Sequence, residues 1–106
     1  MTEAGDPAIT ALIASACADF ARGLAAKTSA LEALVDRAAW DDARRAAHKL
    51  RGSAGVYGFA AVAAAAAAVD DVLSRSASPD ACARALVEEK LREHRSEAER
   101  ASREVP

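Results

Sequence analysis

Between residues 60 and 69 the chain uses two residue types only, eight alanines and two valines. Alanine makes up 31 of the 106 residues overall. It is the strongest helix former and a poor strand former, so this bias constrains the fold more than any other feature. The alanine run still keeps a one-sided apolar stripe, Val62, Val69, Val72 and Leu73. A smooth alanine face lets helices approach closely, so the run reads as bundle packing and not as a linker. Five glycines and three prolines are too few for a turn-rich sandwich or barrel. A formal net charge of -2 with 52% hydrophobic residues argues against a disordered chain. The length suits one domain. No run of about 18 uncharged apolar residues is present, so no membrane span is expected. Met1 to Pro7 lacks a basic segment followed by an apolar one, so no secretory signal is visible and a cytoplasmic protein is expected.

Helix signals divide the chain. Asp6-Pro7 reads as an N-cap followed by proline in the first turn. Ile9, Leu12, Ile13, Ala16, Cys17 and Phe20 then recur at helical spacing. Leu24, Leu31, Leu34 and Val35 continue the pattern, and Gly23 to Ser29 marks a break. A short first helix and a longer second one ending near Ala39 are therefore expected. Trp40-Asp41-Asp42 opens the next helix, with an aspartate as cap and acids at its positive end. Its apolar side is Ala43, Ala46, Ala47, Leu50, Ala54 and Tyr57, and Gly58 is the turn that follows. Ser74 to Ser78 is a loop, and Ser78-Pro79 starts the last helix, with Cys82, Ala85, Leu86 and Leu91 on its apolar side. Residues 92–106 are mostly charged and read as a solvated, fraying extension. The expectation is an all-α single domain over residues 1–106 with its core at about 7–91. Its architecture would be an antiparallel four-helix bundle with an extra short N-terminal helix and a charged C-terminal extension.

Packing accounts for most positions but not for residues 44–58. With Leu50 at the centre of the buried face, His48 falls about 160° away at about 100° per residue, so it faces solvent. Gly52 and Gly55 lie four and seven residues on, along the same outward face. Glycine within a helix costs about 0.5–1 kcal/mol relative to alanine, and this chain places alanine almost everywhere else. Missing side chains there expose the imidazole and let a partner's backbone come close. Arg44 and Arg51 flank His48, with Arg45 and Lys49 nearby. An exposed imidazole is a good nucleophile at neutral pH, and the surrounding cations would stabilise phosphoryl oxygens. No P-loop, no glycine-rich nucleotide loop and no carboxylate cluster for magnesium occurs, so the phosphoryl group would have to come from another protein.

The segment Ala47-His48-Lys49-Leu50-Arg51-Gly52-Ser53-Ala54-Gly55, continuing to Gly58, resembles the signature of histidine-containing phosphotransfer domains. That signature has histidine, any residue, leucine, lysine, glycine and two small residues, then a glycine about ten residues after the histidine. The resemblance takes in Trp40-Asp41 and the helical pattern from about Phe20 to Arg75. It implies that His48 is the phosphoryl acceptor and donor, modified on Nε2. Arg51 stands where the family has lysine, keeping the charge on a wider fork, and would stabilise the phosphoryl group with Arg44 and Lys49. Gly52, Gly55 and Gly58 would provide access and the helix-end turn, and Arg45, Val56 and Phe59 a partner surface. Tyr57-Gly58-Phe59 stands where the family often has an aliphatic residue. The implied partners are receiver domains of response regulators and of a hybrid histidine kinase, with Mg2+ in the receiver. The chain would be a monomer and a phosphotransfer intermediate, not an enzyme, with no cofactor of its own. The alternative is a helical-bundle adaptor that binds receivers or kinases without transfer. The length leaves no room for a kinase or receiver in cis, so a free-standing relay protein is expected.

Other candidates read more plainly. His94, among Glu93, Arg95 and Glu97, is expected in solvent, and Asp70-Asp71 on a solvated helix face. Cys17 and Cys82 fall on apolar faces and read as core packing; no His or Cys pair has zinc-ligand spacing. The basic cluster lacks an aromatic platform, so no nucleic-acid contact is expected.

Overall fold

The computed structural model describes residues 6–105, and they form four helices with no strand. Helix α1 spans Pro7–Asp36, α2 Trp40–Val56, α3 Ala60–Ser74 and α4 Ala81–Glu104. Asp6 caps α1 as its sequence suggests, its carboxylate accepting from the Ala8 amide at 2.9 Å. No break occurs between Gly23 and Ser29. Leu24, Thr28 and Leu31 are all buried, so one buried stripe runs through that stretch and holds the helix together. The expected short first helix and its longer successor are therefore one, and it ends at Asp36.

Two similar turns close α1 and α2. The Ala39 amide bonds the Leu34 carbonyl at 2.9 Å and Ala38 the Val35 carbonyl at 3.0 Å. Likewise Phe59 bonds Ala54 at 2.8 Å and Gly58 bonds Gly55 at 3.2 Å. Both are Schellman turns, which need a left-handed residue just past the helix end. Gly58 takes that conformation at φ 84° without strain, while Ala38 holds φ 58° at some cost. Among the other expected caps, α2 begins after Ala39 with no side-chain cap, and Asp41 and Asp42 sit inside its first turn. Helix α4 is capped by Asp80, which accepts from the Ala83 amide at 2.8 Å, and not by Ser78-Pro79.

Short connections make successive helices antiparallel, and the bundle closes as a ring. Helix α1 packs along α2 and α4, and α3 along α2 and α4, while across the diagonal Arg84 of α4 reaches over the Trp40 ring of α2, 5.4 Å from its centroid. The core is small and, apart from Phe20, aliphatic: Phe20, Leu24, Leu31 and Val35 come from α1, Ala43, Ala47, Leu50 and Ala54 from α2, Val62, Ala66, Val69 and Leu73 from α3, and Val87 and Leu91 from α4. Tyr57, expected inside, is partly exposed but stacks on Phe20 with centroids 4.8 Å apart.

The two ends of the chain reverse their expected roles. The charged segment after residue 91 does not fray: it is helical to Glu104, and His94, Ala98 and Ala101 are buried at spacings of four and three. The first three turns of α1 are apolar yet uncovered, with Ile9, Leu12 and Ile13 between 55% and 70% exposed. At about 1.5 Å per residue, α1 outreaches α2 and α3, so these turns lie beyond the helices that would cover them. Helix α1 is also long and apolar enough by composition to cross a membrane. From Phe20 onward, however, it supplies Phe20, Leu24, Leu31 and Val35 to the bundle core. Neither cysteine is a core residue. Cys17 is half-buried with its thiol 3.5 Å from the Tyr57 carbonyl oxygen, and Cys82 is exposed.

Candidate functional site

Helix α2 buries Ala43, Ala47, Leu50 and Ala54, and this phase turns His48 outward, its side chain 71% exposed. The ring is nevertheless held. Its Nδ1 lies 2.9 Å from Oδ2 of Asp70, on the facing helix α3. Asp70 is itself buried, its side chain only 6% exposed, so the sequence reading of a solvated acid is corrected. The reason is its place on α3, about 80° from Val62 at the edge of the buried stripe and turned towards α2.

Asp70 collects three donors. Besides His48, the Ser74 hydroxyl donates to Oδ1 at 3.3 Å, and the Arg51 guanidinium approaches Oδ2 at 3.4 Å. Burial pushes the Asp70 carboxyl upward. The hydrogen bonds from His48 and Ser74, the His48 charge and the Arg51 bond together outweigh it, and the group lies below the ordinary carboxylate range. An ionised Asp70 accepts only, so the neutral His48 ring carries its proton on Nδ1 and its lone pair on Nε2. A buried carboxylate thus sets the tautomer of an exposed imidazole. Local sequence reading missed Asp70 and Ser74 because their partner lies on another helix.

The cations around His48 are less available than their number suggests. Arg51 is shared between Asp70 and Asp71, at 3.4 and 3.5 Å. Arg45 pairs with Asp41 at 2.6 Å and Asp42 at 3.1 Å, and Arg44 lies 3.7 Å from Asp41. Lys49 is exposed and, with Lys27, Leu50 and Ser53, lines a shallow groove between α1 and α2. Only Arg51 is tied into the Asp70 network that holds His48.

Gly52 and Gly55 are exposed, and a Cβ added to either would meet nothing within 4 Å. Internal packing therefore does not demand glycine there, and what its absence of side chain leaves is open surface beside His48. Val56, 83% exposed, extends that surface by one apolar side chain. Phe59 does not belong to it: the ring packs against the core, 5.8 Å from Phe20. Among the described residues no cluster of three or more His, Cys, Asp or Glu could hold a metal ion.

Such a site has one outward imidazole nitrogen, a buried carboxylate behind the ring and a cation beside it. Comparison with curated proteins and with solved structures found no match. The family model described as Hpt domain matches residues 15–102, most of the chain and every residue of the site. Hpt domains are phosphotransfer carriers of two-component systems that interact with receiver domains, and they are not classical enzymes. With the helical bundle, the outward histidine and the family match in agreement, this chain belongs to the Hpt domain family.

Proposed function

We propose that the chain is a phosphorelay intermediate that accepts a phosphoryl group on His48 Nε2 and passes it on. The donor is the aspartyl phosphate of one receiver domain, such as that of a hybrid histidine kinase, and the acceptor is the aspartate of another. The carrying observation is the His48–Asp70 pair: it fixes the proton on Nδ1 and leaves Nε2 as a lone pair on an open face. In the step, the Nε2 lone pair forms the N–P bond as the acyl phosphate P–O bond breaks. The electron pair of that bond leaves with the receiver's carboxylate. The ring becomes cationic while still holding its Nδ1 proton, and the ionised Asp70 balances that charge at 2.9 Å. Reversal of these steps delivers the group to the second receiver. Arg51 lies on the same side, where its guanidinium can leave Asp71 for the phosphoryl oxygens.

Gly52, Gly55 and Val56 would meet the receiver, with Arg45 and Lys49 at the margin, and transient contacts of this kind are small. The protein would act as a monomer in the cytoplasm, and the metal ion of the reaction would be the receiver's. Incubation with a labelled phospho-receiver tests the reading. Label should move to the chain, resist alkali, be lost in acid and fail to appear on His48→Gln. Stable binding of receivers with no transfer from any of them would make the chain an adaptor instead.

A further inference from the structure

The second histidine is enclosed in the seam between α1 and α4. His94 has no exposed surface, which corrects the solvated position expected from its charged neighbours. Its Nδ1 lies 3.3 Å from the Thr28 hydroxyl oxygen on α1, and its Nε2 has no hydrogen-bond partner among the described residues. A neutral ring tolerates this arrangement at modest cost. A protonated ring would carry two N–H donors and a full charge into a space offering one hydroxyl.

The groups around it do not supply the missing counter-charge. On α1, Glu32 lies one turn beyond Thr28, but Arg95 already holds it, Nη2 to Oε1 at 2.6 Å and Nε to Oε2 at 3.3 Å. The same Arg95 also donates to Ser29 at 2.9 Å. On α4 itself, Glu93 pairs with Lys90 at 3.6 Å and Glu97 with Arg100 at 3.8 Å. The α3 residues that line a groove with Glu93 and Glu97 are Ala61, Ala64, Ala65 and Ala68, none of which titrates. The acids of α3, Asp70 and Asp71, engage His48 and Arg51.

We propose that His94 is a proton-operated latch on the α1–α4 seam, closed while the ring is neutral and released when mild acid protonates it. Release frees the C-terminal half of α4 from α1 and leaves the α2–α3 pair that carries His48 in place. Burial, the largest influence, holds the His94 pKa below its ordinary 6.5; Glu32 pulls it up and Arg95 pushes it down again. The open state carries an ordinary histidine, so opening takes up a proton. Seam stability is therefore full above pH 6.5 and falls as the pH drops from there towards the lower closed-state value.

Hydrogen exchange on the His48→Gln protein, where His94 is the only histidine left, reads the latch directly. After correction for intrinsic rates, amides of residues 90–104 should open more often at pH 5.5 than at pH 7.5. The increase should reach up to about tenfold, the most that one proton can give one unit below 6.5. Amides of α2 should not follow. A further His94→Leu change should abolish the difference. The same pH response in that variant, or opening of α2 together with α4, would overturn the proposal. An NMR titration of the His94 ring covers a variant that does not fold: an ordinary midpoint with the seam still closed would equally overturn it.

Discussion

The two histidines lie in different seams of one bundle, and the facing helix decides what each can do. Against His48, α3 places a buried carboxylate, and the rest of the ring is left to solvent. Against His94, α1 places a hydroxyl, and the rest of the ring is sealed. One imidazole is thereby given a defined tautomer and a free nitrogen, the other a nitrogen with nothing to bond. The residue type is the same in both seams, so its chemistry comes from what the neighbouring helix brings and from access to water.

Substitutions on each side should separate the two. The largest effect belongs to His48→Gln, which keeps an amide near Asp70 but has no nucleophilic nitrogen. Transfer from a phospho-receiver should drop below detection while the circular dichroism spectrum stays helical. Asp70→Asn should come next, slowing transfer about 100-fold, the low end of what a lost electrostatic stabiliser costs, since the amide no longer balances a cationic ring. A normal rate in that variant would reduce Asp70 to a packing residue. It also lowers acid resistance in a different window. The Asp70 carboxyl is held below its usual 3.8, so its contribution to stability is complete above that pH and is lost as the pH falls further. Acid unfolding of the wild type should accordingly show a His94 component below pH 6.5 and an Asp70 component below 3.8. The smallest effect is Thr28→Val, which takes away the single partner of His94. It should cost about 1–3 kcal/mol in urea unfolding and leave the transfer rate unchanged.

Features that depend on one helix alone were legible in the sequence. The phase about Leu50 puts His48 outward, the glycines at 52 and 55 lie on its face, and Gly58 turns the chain with a positive φ. What depends on two helices was not. Asp70 and His48 are 22 residues apart, and an acid near a helix end reads locally as solvated. The charged tail misled for a related reason. Its buried stripe of Leu91, His94, Ala98 and Ala101 is made largely of small or polar residues, so charge dominates the segment while spacing decides its burial. The apolar start of α1 carries the opposite lesson. Hydrophobic spacing shows which side of a helix wants cover, not whether a neighbour is long enough to provide it.

The three-residue connection between α2 and α3 has a consequence for the order of assembly. His48, Arg51, Asp70, Asp71 and Ser74 all belong to one helical hairpin, residues 40–74. Joining α1 to α4 closes a far longer loop, with Thr28 and His94 separated by 66 residues. Closure entropy grows with loop length, so the hairpin is the less costly first step and the outer seam the later one. Truncating Val69 to alanine should therefore slow folding, whereas truncating Val87 should chiefly hasten unfolding; equal behaviour of the two would refute this order. The apparatus that handles the phosphoryl group is thus written into the part of the chain that can organise first and come apart last.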